Sequence, residues 1–225
     1  MDRTGRTRTW MAMVPDCLPA GLLIVALLGA LKFAPTEATM GDAQRILYLH
    51  VSVAWLGLLG YLVMAGTGLM YLLRRDLSWD HWSHAAAELG WLCSGLTLVT
   101  GSLWAHAAWD VWWSWDPRLT SSFILWVLYC GTLLVRGSLD DPHHRARTAA
   151  LLSIIGALDI PLVIMATRWF RGIHPVTPEM EPAMRWTLLL AVIGFTAFFA
   201  VLLVRRRVQV ELESLLVEIE QRGGE

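Results

Sequence analysis

Five of the chain's thirteen tryptophans, Trp104, Trp109, Trp112, Trp113 and Trp115, fall within residues 101–121, with Asp110, Asp116, Pro117 and Arg118 set among them. An indole offers a broad apolar face and a single N–H donor, so it settles where one side is greasy and the other wet. A lipid–water interface meets that description. A large planar ligand with polar tails meets it equally. Aromatic belts place one or two rings at a helix end, whereas here the rings crowd into one stretch beside a carboxylate and an arginine, which favours the ligand. The interspersed Asp, Pro and Arg cannot continue an apolar run. Residues 101–121 are therefore expected to be irregular or only partly helical, as a membrane-surface loop or short interfacial helix.

Other chemistries are poorly supplied. The three cysteines, Cys17, Cys93 and Cys130, include no Cys-x-x-Cys pair, which argues against a disulfide scaffold and thiol redox catalysis, and no Cys-x-x-Cys-His attaches a c-type haem. The only lysine is Lys32 and no Gly-x-x-x-x-Gly-Lys loop occurs, so any ATP-driven step belongs to another chain. A net charge of −1 with scattered basic residues gives no reason to expect a nucleic-acid partner.

The elements that must carry the tryptophan stretch are membrane helices. Hydrophobic residues make up 56 % of the 225 and the mean hydropathy is +0.50, which is too apolar for a soluble domain. Apolar runs fall at about 18–33, 46–73, 86–104, 119–136, 149–167 and 186–204, each near the ~20 residues that cross a bilayer. Backbone groups in lipid must be satisfied internally, so the expected fold is an all-α bundle of six transmembrane helices, with the tryptophan loop between the third and fourth. Residues 1–16, with Arg3, Arg6 and Arg8, precede the first helix, which is read as retained rather than cleaved. With the N-terminus inside, twelve basic residues fall on inner segments and six on outer ones, which predicts N-in and C-in. Segments 34–45, 101–121 and 168–185 then share the outer face. Asp159-Ile160-Pro161 is expected to interrupt the fifth helix, since proline removes a helical N–H. Residues 205–225 form an inner amphipathic tail, Leu212, Leu215, Leu216 and Ile219 on one face, that either extends the sixth helix or docks a partner.

This topology sorts the histidines. His81, His84, His143 and His144 lie in inner segments, while His50, His106 and His174 lie outside. An ionisable group one turn inside a helix end, as His50 is, is costly without a role.

The run Trp112-Trp113-Ser114-Trp115-Asp116-Pro117-Arg118-Leu119-Thr120-Ser121, preceded by Gly101-Ser102-Leu103-Trp104, resembles the tryptophan-rich (WWD) signature of the haem-handling proteins of cytochrome c biogenesis. Within that superfamily the chain is most similar to the cytochrome c maturation protein C, or haem exporter protein C, family, over roughly residues 33–190. The segments around His50 and His174 resemble those holding the family's two haem-ligand histidines, with Pro182-Ala183-Met184 continuing the second match. There are departures: Ser52, Asp110-Val111 and Pro117 stand where the family more usually has Pro, Gly-Thr and Ala, and His106 replaces a usual lysine.

The resemblance implies a multi-pass protein of the bacterial inner membrane that binds haem b at its periplasmic face. His50 and His174 are the implied axial ligands of the iron, and Trp104, Trp109, Trp112, Trp113, Trp115, Asp116 and Arg118 complete the implied cofactor-binding set. Two imidazoles can take the two axial faces of a haem iron and an arginine can pair with a propionate. The implied role is delivery to a membrane-anchored haem chaperone (maturation protein E). The implied complex adds a small single-span subunit (maturation protein D) and the ATPase and permease of an ABC transporter (maturation proteins A and B). That is a transport subunit rather than a stand-alone enzyme. Two rivals stand beside it. A cytochrome c synthetase of the same superfamily carries the motif in a longer protein. A redox membrane anchor with bis-histidine haem buries its histidines inside the bundle, unlike the loop-borne His174.

Overall fold

A computed structural model describes residues 17–172, 174 and 180–223. The basic segment 1–16 and residues 175–179 of the outer segment 168–185 lie outside the described residues. Among those described, the fold is all-helical with no strand. Helix α1 spans Cys17–Leu28 and ends in a wider turn, Gly29–Phe33. Helix α2 spans Ile46–Arg74, α3 Leu77–Trp109, α4 Pro117–Ser138, α5 Pro142–Gly156, α6 Asp159–Trp169 and α7 Pro182–Gly223.

The boundaries follow from local chemistry. Asp76, Asp116 and Asp141 each sit before a helix in extended conformation and accept an amide N–H from its first turn, at Ser78, Leu119 and His144 respectively. Pro117 and Pro142 follow two of these caps at the first helical position, where a missing N–H costs nothing. Asp110, at φ 57°, closes α3 in the left-handed conformation and turns the chain out of the helix. The anticipated break in the fifth run falls at residues 157–158, between α5 and α6.

Four helical stretches, Asp42–Arg74, Pro117–Ser138, Pro142–Trp169 and Pro182–Gly223, are long and apolar enough to cross a membrane. Of the two other expected runs, Cys17–Phe33 is a shorter apolar helix, and α3 is long but carries Asp80, His81, His84 and Glu88 in its first half. Helix α7 runs unbroken through 42 residues, about 63 Å at 1.5 Å per residue, so the amphipathic tail extends the last run.

Helices α2 and α3 make the closest pair. A Cβ on Gly60 would lie 2.9 Å from the Cα of Gly90, and Tyr129 of α4 inserts at this crossing to donate its hydroxyl to the Gly57 carbonyl at 2.9 Å. Small residues where backbones approach are the packing currency of membrane bundles, in which lipid gives helices no hydrophobic reason to associate. Leu62, Leu69, Leu134, Ile155 and Ile193 face outward. Toward one end of the bundle Arg136 pairs with Asp80 at 2.8 Å and donates to Ser83 at 3.0 Å, the two charged side chains only 2 % and 6 % exposed. Arg206 ties α7 to α3 through Glu88.

The three segments expected to share a face converge at the opposite end. Gln44 reaches Met184, and Gly172 packs against Asp116. In the segment before α2, the Met40 amide and then the Thr39 hydroxyl donate to Glu37, holding its carboxyl below the usual carboxylate range.

Candidate functional site

His50 lies on the second turn of α2, and α3 crosses it there. The ring is 7 % exposed. Its Nδ1 lies 3.0 Å from Thr100 Oγ1, and a Cβ on Gly101 would stand 3.0 Å from its Cε1, so a glycine is what lets α3 approach the imidazole so closely. One turn beyond Thr100, Trp104 presents its ring on the same side of α3, 3 % exposed and with its centroid 6.0 Å from that of His50. Trp109 follows, 5.5 Å from Trp104.

After Asp110 the chain leaves the helix and folds Trp113 back toward the bundle, where it meets Trp115 and Phe123 edge to face at 5.5 Å and 6.3 Å. Asp116 caps α4, and in the same first turn Arg118 donates to the Val163 carbonyl of α6, joining the two helices. His174 is half-buried in the segment before α7.

His50, Trp104, Trp109, Trp113, Arg118 and His174 line one cleft, together with Ser94, Thr97, Ser102 and Ser122. This slot holds about 770 Å³ of empty space, its open side included. The indole N–H groups of Trp104 and Trp113 are buried without a hydrogen-bond partner among the described residues. Buried donors are seldom left so, and both belong to side chains that line the slot. Among the described residues no three His, Cys, Asp or Glu side chains gather as a metal site. Among the described residues, the slot offers a metal the imidazoles of His50 and His174.

The remaining predicted residues stand elsewhere. Trp112 is 56 % exposed and stacks on His106, centroids 4.0 Å apart, while His106 also meets Asp110 at 3.4 Å. Trp115 is 72 % exposed. Neither ring lines the slot, nor does Asp116. Thr100 and the slot's serines escaped the sequence reading. The only available signal for Thr100 was its place beside Gly101, because its partner is on another helix.

A family model described as "Heme exporter protein C" matches residues 2–219. "Heme exporter protein C" of Bradyrhizobium diazoefficiens is 33 % identical over 222 residues, covering 92 % of this chain and 82 % of that protein. The protein of the same name from Escherichia coli K12 is 31 % identical over 205 residues, covering 89 % and 82 %. That from Rhodobacter capsulatus is 30 % identical over 233 residues, covering 99 % and 93 %. Matched over residues 2–219 by that family model and over most of its length by relatives of the same name, this multi-pass helical chain belongs to the heme exporter protein C family.

Proposed function

We propose that the slot is a haem b site and that the protein presents this haem to a membrane-anchored chaperone during c-type cytochrome biogenesis. One observation carries the reading: two histidines far apart in sequence, His50 and His174, line a single cleft with three indoles and an arginine. In this reading the two imidazoles ligate the iron axially. Trp104, Trp109 and Trp113 pack on the porphyrin, each aromatic contact contributing about 0.5–1.5 kcal/mol. Arg118 pairs with a propionate. The unsatisfied indole N–H groups of Trp104 and Trp113 give the polar edge further donors. Haem is cargo here, and no side chain in the slot needs to form or break a covalent bond with it.

The chain then crosses the bacterial inner membrane six times, N-in and C-in, with the slot on the periplasmic side. The excess of basic residues on inner segments supports that orientation, and the convergence of segments 34–45, 101–121 and 168–185 at one end of the bundle supports their sharing one side. Trp112 and Trp115, exposed beside the slot, together with the Asp116 cap, form its rim and govern which haem edge the chaperone meets. The ABC ATPase and permease and the single-span subunit complete the complex. Their names come from the resemblance, and the absence of a phosphate-binding loop here agrees with an ATPase elsewhere.

The test quantifies haem on this protein and covalent haem on the chaperone in the same membranes, at matched protein levels. Combined replacement of Trp112, Trp113, Trp115 and Asp116 by Ala should sharply reduce chaperone loading. Normal loading in that variant would reduce the loop to an interfacial belt.

A further inference from the structure

The Thr100 hydroxyl has one hydrogen and three oxygen or nitrogen neighbours: the Leu96 carbonyl at 2.7 Å, the Thr97 carbonyl at 3.3 Å and His50 Nδ1 at 3.0 Å. Two oxygens at 2.7 Å with no proton between them repel, so the hydroxyl hydrogen belongs on the Leu96 carbonyl. What Thr100 then turns toward His50 is a lone pair, and Nδ1 must be the donor. A neutral imidazole has a single N–H, so a proton held on Nδ1 leaves Nε2 with the ring's only lone pair. The Thr97 backbone carbonyl is a second acceptor beside the ring, on the same turn of α3 as Thr100. The ring cannot slide away from this arrangement easily, because Gly101 packs on its Cε1 side and Trp104 flanks it.

We propose that Thr100 is a positioning residue for His50: by accepting the Nδ1 proton it fixes the imidazole tautomer and holds Nε2 ready for haem iron. This rests on the reading of His50 as a haem ligand. The hydroxyl acts through the histidine and need not touch the haem. Partners of this kind commonly set metal affinity by about 10–100-fold.

The test uses the full-length protein in detergent, labelled with 15N-histidine, as wild type, Thr100→Ser, Thr100→Val and His50→Ala. Loss of the His50 signals in His50→Ala assigns them. Without haem, wild type and Thr100→Ser should show a protonated Nδ1 and a lone-pair Nε2 at His50, and Thr100→Val should lose that bias. Titration with ferric protoporphyrin IX should then give about tenfold or weaker binding for Thr100→Val, with Thr100→Ser within about twofold of wild type. Unchanged signals from the other histidines and an unchanged elution volume show that Thr100→Val is folded. If it is not, Thr100→Ala takes its place in both measurements. A proton on Nε2 in wild type overturns the proposal. So does wild-type affinity in Thr100→Val when His50→Ala is weakened, and that outcome leaves the haem site standing. Wild-type affinity in both Thr100→Val and His50→Ala overturns the haem reading and the role of Thr100 with it.

Discussion

At the scale of single residues, the tryptophan stretch divides into rings that belong to the bundle and rings that stand outside it. Trp104 is 3 % exposed and Trp115 is 72 % exposed. Trp104→Ala should therefore lower stability by about 3–5 kcal/mol, the cost of emptying a packed aromatic site. Trp115→Ala should stay within about 0.5 kcal/mol of wild type. Thermal unfolding in detergent distinguishes them, and equal losses would contradict this division. The sequence singled out both rings without sorting them, for a physical reason. Residues 110–116 have no helical period, so spacing cannot say which way a side chain turns. His106 shows the same limit: its stacking on Trp112 depends on where the chain reverses after Asp110. His50 was legible as an ionisable group placed at cost inside a helix end, but its partner Thr100, on another helix, was not.

At the scale of elements, the breaks were largely legible because Asp and Pro announce them, and the caps give those breaks a function. Asp116 starts α4 by accepting the Leu119 amide, and that places Arg118 in the first turn of the helix against the Val163 carbonyl. Asp116→Ala should cost about 1 kcal/mol at this cap and should lower covalent haem on the chaperone more than haem on the protein itself. Asp116→Asn, which still caps, should restore most of the loading. If Asn behaves like Ala in the two-pool assay, the carboxylate charge matters rather than the cap. The buried Arg136–Asp80 pair was invisible in sequence, since its members lie on different helices. Arg136→Ala strands the Asp80 carboxylate and should destabilise the fold by about 3–5 kcal/mol, measured by thermal unfolding, whereas removing both charges together should recover part of that loss.

At the scale of the whole molecule, apolar runs located the helices, and four stretches satisfy length and apolarity on their own. Helix α3 does not: its second half mixes Trp, Ser, Thr, Gly and His with its apolar residues, and its first half carries charge. Its Asp80 and Glu88 are neutralised by Arg136 and Arg206 from α4 and α7, pairings that a sum over one segment cannot register. A reporter active only outside the cytoplasm, fused after Ala108, should be active, and the same fusion after Arg75 or Asp141 should be silent. The reverse pattern would put the slot on the wrong side. The central claim is that this bundle brings two distant histidines to one haem, and its most direct test is the absorption spectrum and haem content of the purified full-length protein. Wild type should carry six-coordinate haem. His50→Ala and His174→Ala should each lose haem or become five-coordinate, while His143→Ala changes neither. A His50→Ala/His174→Ala double variant that keeps wild-type haem content and a six-coordinate spectrum would contradict the account.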